Sequence, residues 1–159
     1  MLTKIFLGLG SNLGESSINI FEAVEQLNAE PNIQNIKLSP LYLSPPMGPQ
    51  DQPDFINAVL RAETSFTPSK LLERIKLIEK GMGREAGLRW GPRIIDIDIL
   101  LYGEQIIHTD KLSIPHIGLS ERSFVLYPLS DLDKQLKIPG LAPLTELIDN
   151  LGKTDIRKI

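Results

Sequence analysis

Arg89-Trp90-Gly91-Pro92-Arg93-Ile94-Ile95-Asp96-Ile97-Asp98-Ile99-Leu100-Leu101 sets two carboxylates into an apolar run that otherwise reads as a buried strand. Isoleucines at 95, 97 and 99 alternate with Asp96 and Asp98, so the period is two. On a strand that period points both carboxylates out of one face, roughly 6.5–7 Å apart along the chain. Two hard anionic ligands so placed suit a hard divalent cation, which binds phosphate substrates through one or two carboxylates plus water. Arg89 and Arg93 flank the pair with guanidinium groups of the kind that clamp phosphoryl oxygens. The competing reading is a solvated strand face that carries two aspartates. The depletion of Asp in strands and the cost of an unpaired buried charge weigh against it.

Around this stretch the chain has the composition of an ordinary globular protein. Its 159 residues are 42% hydrophobic and 23% charged, enough for one domain, 1–159, with a sizeable core. The formal charge of −3 and a pI of about 5.4 argue against a general nucleic-acid footprint, which is usually basic. With no cysteine there is neither a disulfide nor a thiolate metal site. The apolar run Ile5–Gly10 lacks the length of a signal segment, and no stretch approaches 18 apolar residues. A cytoplasmic location, no membrane association and a monomeric state are the expectations.

Residues 4–10 read as a first strand, stopped by Gly10-Ser11-Asn12, and Glu15 to Asn28 as an amphipathic helix carrying Ile20, Phe21, Val24 and Leu27. Residues 33–43 look extended, with Pro40 marking an edge or a bulge. Ser44 to Pro53 is a loop, since its four prolines and a glycine sustain neither ladder nor helix. Phe55 to Thr64 alternates again. Thr67-Pro68 caps a helix whose stripe is Leu71, Leu72, Ile75 and Ile78, ended by Gly81 and Gly83. The first hundred residues therefore run strand, helix, strand, strand, helix, strand. That order predicts an α+β fold, a ferredoxin-like α/β sandwich (split βαβ) with helices packed on one face of an antiparallel-rich sheet. Ser123 to Leu132 reads as strand turning into helix, and Pro143 to Leu151 as a helix ended by Gly152.

Gly8-Leu9-Gly10-Ser11-Asn12-Leu13-Gly14 invites a dinucleotide reading, but its third glycine comes one residue late and no Lys-Ser/Thr ending follows. A tight strand exit with close backbone packing accounts for it better. Phe55 and Asn57 leave one face of a strand beside the Pro-rich loop; an aromatic face plus an amide suits a flat heterocycle, although a core Phe and a strand-edge Asn are the commoner outcome. His116 follows Pro115 without an acidic or Ser/Cys partner at a telling spacing, so no nucleophilic triad is supported. Arg84 sits in the glycine-flanked loop Gly83–Gly87.

Taken together, five ordered motifs resemble the 6-hydroxymethyl-7,8-dihydropterin pyrophosphokinase family of folate biosynthesis. They are Leu9-Gly10-Ser11-Asn12-Leu13-Gly14, Pro45-Pro46-Met47-Gly48-Pro49-Gln50-Asp51-Gln52-Pro53, Phe55-x-Asn57-Ala58, Arg89-Trp90-Gly91-Pro92-Arg93-x-x-Asp96-Ile97-Asp98-Ile99-Leu100 and Pro115-His116. The resemblance covers almost the whole chain. It implies transfer of the terminal diphosphate of ATP to the hydroxymethyl oxygen of 6-hydroxymethyl-7,8-dihydropterin, with release of AMP. It implies two Mg²⁺ ions on Asp96 and Asp98, and phosphate contacts from Arg84 and Arg93. Ser44, Pro45, Met47, Phe55, Asn57, Trp90 and Phe124 fall at pterin-pocket positions. Lys76, Glu79, Ile99, Lys111, Ser113, His116 and Arg122 fall at nucleotide positions. The chain departs from the family pattern in having Phe55 where many members have Tyr, which keeps the stacking face without its hydroxyl. Ile117 likewise stands where an aromatic residue is frequent. Any partnership with a dihydropteroate synthase or aldolase domain is expected to be between separate chains.

Two further readings compete. A ferredoxin-like RNA-binding module lacks both the basic charge and the closely spaced aromatic pattern. A protein that merely holds a divalent metal leaves the arginines and the Pro-rich loop unexplained.

Overall fold

The computed structural model describes residues 1–46, 48, 51–83 and 93–159. In chain order its elements are β1 (Thr3–Ser11), α1 (Ser16–Asn28), β2 (Ile33–Leu38), β3 (Tyr42–Ser44), β4 (Phe55–Thr64), α2 (Pro68–Gly81), β5 (Asp96–Tyr102), β6 (Ile107–His108), β7 (Ser113–Ile114), α3 (Ser123–Leu132), α4 (Leu144–Leu151) and β8 (Arg157–Lys158). Strand β1 lies at the centre, antiparallel to β4 on one edge and to β5 on the other. The sheet runs β5-β1-β4-β3-β8, with β2 also paired to β4, and β6 and β7 form a separate hairpin. Every pairing is antiparallel, as the ferredoxin-like order requires.

The alternation of side chains along β1 divides the interior in two. Ile5, Leu7 and Leu9 join Ala58, Leu60, Ile97 and Ile99 under α1 and α2, whose buried stripes are Ile20, Ala23, Leu27 and Leu71, Ile75, Ile78. Thr67 caps α2 by accepting the N–H of Lys70 at 3.2 Å, with Pro68 in the first turn. On the opposite face Phe6, Val59 and Leu100 pack against Val125, Leu126 and Leu129 of α3 and Leu144 and Leu147 of α4. Helices thus cover both faces of the sheet. The one-face expectation holds for α1 and α2 only, because the second apolar layer comes from residues beyond 120.

Two other expectations need correction. Residues 33–43 are not one strand but two, separated at Ser39-Pro40. Ser39 carries the ladder across the break: its N–H donates to the carbonyl of Val59, and its Oγ accepts the N–H of Val59, both at 2.9 Å. Residues 123–132 are helical throughout, with Pro128 inside the helix. The expected strand at its start is absent because Val125, Leu126, Leu129 and Leu132 bury one helical stripe against the sheet. The terminal helix, by contrast, stops at Gly152 as expected, with φ of +67° there.

Strand β5 is held from behind by Glu79. This residue of α2 is only 3% exposed; its Oε2 accepts the N–H of Ile97 at 2.8 Å and its Oε1 lies 3.3 Å from the Lys76 ammonium. Among the described residues no helix is long and apolar enough to cross a membrane. Removing the Glu79 carboxylate leaves a buried N–H on β5 unsatisfied, so Glu79→Ala should cost about 2 kcal/mol of stability. Glu79→Gln keeps an acceptor and should cost less. Urea midpoints of the two variants check this, and an unshifted Glu79→Ala midpoint would contradict it.

Candidate active site

The aspartates leave β5 on the α3 side of the sheet, and the register explains what surrounds them. Asp96 lies opposite Gly10 of β1, and Asp98 opposite Gly8. Across the other edge of β1, Gly10 faces Asn57 and Gly8 faces Val59 of β4. Between the carboxylates and Asn57 there is consequently only bare backbone. A Cβ on Gly10 would stand 2.9 Å from Asn57 Oδ1 and 3.8 Å from the Phe55 ring, and a Cβ on Gly8 would touch the Leu100 side chain at 3.4 Å. The glycine pattern reads as close backbone packing, and its closeness makes room for a pocket.

That pocket, of about 130 Å³, is floored by Gly8 and Gly10. One wall holds Asp96 and Asp98; Ser44, Pro45, Phe55 and Asn57 line it from β3 and β4, and Arg122 and Phe124 from the start of α3. Asn57 is 5% exposed and Ser44 3%, and the Asn57 Nδ2 donates to Ser44 Oγ at 2.7 Å. This bond fixes the amide's orientation. Arg122 lies 5.8 Å from the centroid of the Phe124 ring and packs so closely on Gly118 that a Cβ there would sit 2.6 Å from its Nε.

His116 flanks the carboxylates from the far edge of β5, tied there by its N–H to the carbonyl of Leu100 at 3.0 Å. Its Nδ1 accepts the N–H of Gly118 at 3.1 Å, which leaves Nε2, 3.9 Å from Asp98 Oδ1, to carry the proton of the neutral ring. Burial lowers its pKa below 6.5, Asp98 pulls the other way, and Arg122 adds to the lowering. The imidazole is therefore uncharged at pH 7 and adds no positive charge beside Asp98.

Asn12, 2% exposed, ties together the segments that meet at the pocket's mouth. Its Nδ2 donates to Gln52 Oε1 and to the Pro53 carbonyl at 2.9 Å each, and its Oδ1 accepts the N–H of Arg93 at 2.8 Å. The backbone N–H groups of Asn12 and Leu13 both donate to the Arg93 carbonyl. Sequence reading passed over Asn12, although an Asn directly after a glycine-bearing strand exit is a recurrent local hydrogen-bonding residue.

The structure thus brings Ser44, Pro45, Phe55, Asn57, Asp96, Asp98, Arg122 and Phe124 to one pocket, with His116 at its flank. It does not bring Ile99 there: that side chain is 4% exposed on the α1/α2 face of the sheet. Glu79 and Lys76 stand behind the same strand. Lys111 and Ser113 belong to the β6–β7 hairpin that precedes His116. Met47, Arg84 and Trp90 lie outside the described residues. Asp96 and Asp98 fit a hard divalent ion by donor chemistry. Among the described residues they join no cluster of three or more acidic, His or Cys ligands, so phosphate and water would complete the coordination.

Carboxylates set beside an aromatic pocket with a buried amide are the equipment of a kinase-type transferase, in which metal-bound phosphate meets a flat acceptor. Comparison with known proteins narrows this class. The profile of the 7,8-dihydro-6-hydroxymethylpterin-pyrophosphokinase (HPPK) family matches residues 6–134. A Pseudomonas aeruginosa protein named 2-amino-4-hydroxy-6-hydroxymethyldihydropteridine pyrophosphokinase is 43% identical over 148 residues, 93% of this chain and 91% of its own. A Haemophilus influenzae protein of the same name is 41% identical over 154 residues, 97% of this chain and 96% of its own. The crystal structure of Plasmodium falciparum HPPK-DHPS with pteroate superposes with a TM-score of 0.75 at 18% identity. That superposition covers 94% of this chain but only 42% of the longer one, and supports the fold. The chain belongs to the HPPK family.

The contact between Gly10 and Asn57 yields a prediction of its own. Gly10→Ala should keep the far-UV circular dichroism of the folded chain, lower its stability by about 1–3 kcal/mol, and shift the side-chain amide resonances of Asn57. Unmoved Asn57 resonances would show that the approach is slack.

Proposed function

We propose that this chain transfers the terminal diphosphate of ATP to the hydroxymethyl oxygen of 6-hydroxymethyl-7,8-dihydropterin, releasing AMP, as a step of folate biosynthesis. The observation that carries the reading is the single pocket that joins Asp96 and Asp98 to Phe55, Asn57 and Phe124 across two glycines. Family membership supplies the reaction class.

Phe55 and Phe124 offer ring faces to the pterin, and the Asn57 amide, held by Ser44, offers a donor and an acceptor to its pyrimidine edge. Pro45 lines the same side, and Met47 and Trp90 are assigned to the pterin by the family resemblance. Asp96 and Asp98 would hold Mg²⁺, two ions in this reading, which when bound neutralises β- and γ-phosphate charge. Arg84 and Arg93 clamp phosphate oxygens, a task that suits the bidentate guanidinium fork. Lys111, Ser113, His116 and Arg122 form the nucleotide side. Neutral His116 can donate from Nε2 without drawing the metal ligand Asp98 into an ion pair. Lys76, Glu79 and Ile99 are assigned to the nucleotide side as well; Glu79 also braces β5 from α2 through the N–H of Ile97. Attack on the β-phosphorus then rests on positioning and electrostatics: the acceptor oxygen is held in line while charge on the departing AMP is spread. In this reading one domain, 1–159, works as a cytoplasmic monomer, with small-molecule substrates and no nucleic-acid or membrane partner.

Product identity tests the reading. With ATP, Mg²⁺ and the hydroxymethyl-dihydropterin the nucleotide product should be AMP; ADP would mean attack at the wrong phosphorus, and no turnover by folded protein would overturn the reading. Asp96→Ala and Asp98→Ala should each lose at least on the order of a hundredfold in kcat with folding retained. A near-normal rate in either would remove that carboxylate from the metal site.

A further inference from the structure

Strand β3 is the least supported part of the acceptor side. It is three residues long, follows the interruption at Ser39-Pro40, and meets β4 in three residue pairs, Tyr42 with Asn57, Leu43 with Ile56 and Ser44 with Phe55. So short a strand on an exposed edge is not held rigidly by one neighbour. Yet Ser44 must stay within 2.7 Å of Asn57 to orient the amide.

A second neighbour is supplied by residues 152–159. Strand β8 pairs with the outer edge of β3, Tyr42 with Lys158 and Leu43 with Arg157, and the N–H of Ile159 donates to the Leu41 carbonyl at 2.9 Å. One carboxylate then fastens three elements. Asp131 of α3 accepts the hydroxyl of Tyr42 through one oxygen, while its other oxygen lies 3.3 Å from the Lys158 ammonium. That ammonium also stands 5.7 Å from the centroid of the Tyr42 ring. Burial first, and Asp131 second, push the Tyr42 phenol well above its ordinary pKa of 10, so it remains a donor at every physiological pH.

The same segment reaches the acceptor pocket by a second route. Lys153, Thr154, Asp155 and Ile156 wall a hollow of about 350 Å³ that shares Ser44, Pro45, Arg122 and Phe124 with the pocket itself. On the other side of the sheet order, Asp96 and Asp98 lie on β5, separated from β3 by both β1 and β4.

We infer that residues 152–159 form a strap that holds β3 in place and thereby positions Ser44 against Asn57, with Asp131 as its clasp. The strap serves the acceptor side of the site and leaves the phosphate side alone. Tyr42, Asp131 and Lys158 are positioning residues, since none of them lines the pocket. The inference rests on the proposed reading that Ser44 and Asn57 face the pterin.

Lys158→Met and Asp131→Ala in the full chain test it by three measurements: KM for the hydroxymethyl-dihydropterin, the Kd of MgATP by calorimetry without acceptor, and hydrogen exchange of the Tyr42, Leu43 and Ser44 amides. Each variant should raise the acceptor KM on the order of fivefold and hasten exchange in β3, with kcat and the MgATP Kd changed by less than about twofold. Lys158→Arg, which keeps the charge, should restore both. An unchanged acceptor KM, unchanged β3 exchange, or an equal rise in the acceptor KM and the MgATP Kd would each overturn the strap. If the unaltered protein fails to turn over the pterin, the functional reading falls, and the exchange comparison alone then decides whether residues 152–159 hold β3.

Discussion

Backbone-to-backbone contact along β1 is the constraint on which the site depends. Gly8 and Gly10 carry no side chains, so Asp96 faces Asn57 across bare backbone at Gly10, while the Leu100 side chain lies over Gly8 between Asp98 and Val59. Any side chain at position 10 would meet the Asn57 amide, whereas a Cβ at position 8 would only come into ordinary contact with Leu100. Interior glycines weaken a strand by loss of packing and gain of unfolded-state entropy. Here β1 offsets that weakness with its other face, where Ile5, Leu7 and Leu9 are almost wholly buried under α1 and α2. One strand thus carries a fully packed face that holds the fold and a second face that packs through Phe6 and turns bare at Gly10, where the pocket opens.

The alternation that made Asp96 and Asp98 readable also made the division between the two faces readable, because a strand with period two fixes both at once. The helices α1 and α2 and the strands β1 and β4 followed from hydrophobic spacing in the same way. What sequence reading missed had non-local causes. The strand break at Ser39 depends on a hydroxyl that meets Val59, 20 residues away. The helical state of 123–132 depends on Phe6, Val59 and Leu100 presenting an apolar face. The burial of Ile99 away from the pocket did follow from its parity with Ile97, but the resemblance grouped it by function and not by face.

Asn12 shows the same limit at the level of a single residue. Its side chain bonds to residues 40, 41 and 81 positions away, and no local pattern announces such a triple contact. With all of its donors and its acceptor used, the amide has one arrangement in which nothing buried goes unsatisfied. It therefore joins the end of the Pro-rich loop, through Gln52 and Pro53, to Arg93 at the approach to β5. The end of the Pro-rich loop and Arg93 are thereby referred to one fixed point at the exit of β1.

Diphosphate transfer makes this arrangement intelligible. The reaction asks little covalent chemistry of the protein and much alignment, since the acceptor oxygen, the phosphorus and the departing oxygen have to lie in line. An antiparallel sheet provides such alignment cheaply: strands sit about 4.8 Å apart, and residues opposed in register cannot shift without breaking a ladder. The groups proposed for the acceptor stand on β3 and β4 and the carboxylates proposed for the metal on β5, so β1 sets the span between them. The two outer elements differ in how they are secured. Strand β5 is fixed by six register pairs with β1 and by Glu79 from behind, whereas β3 has three pairs with β4 and relies on Asp131 and β8. The β3 edge is therefore the less constrained side of the pocket, while β5 is locked into the core.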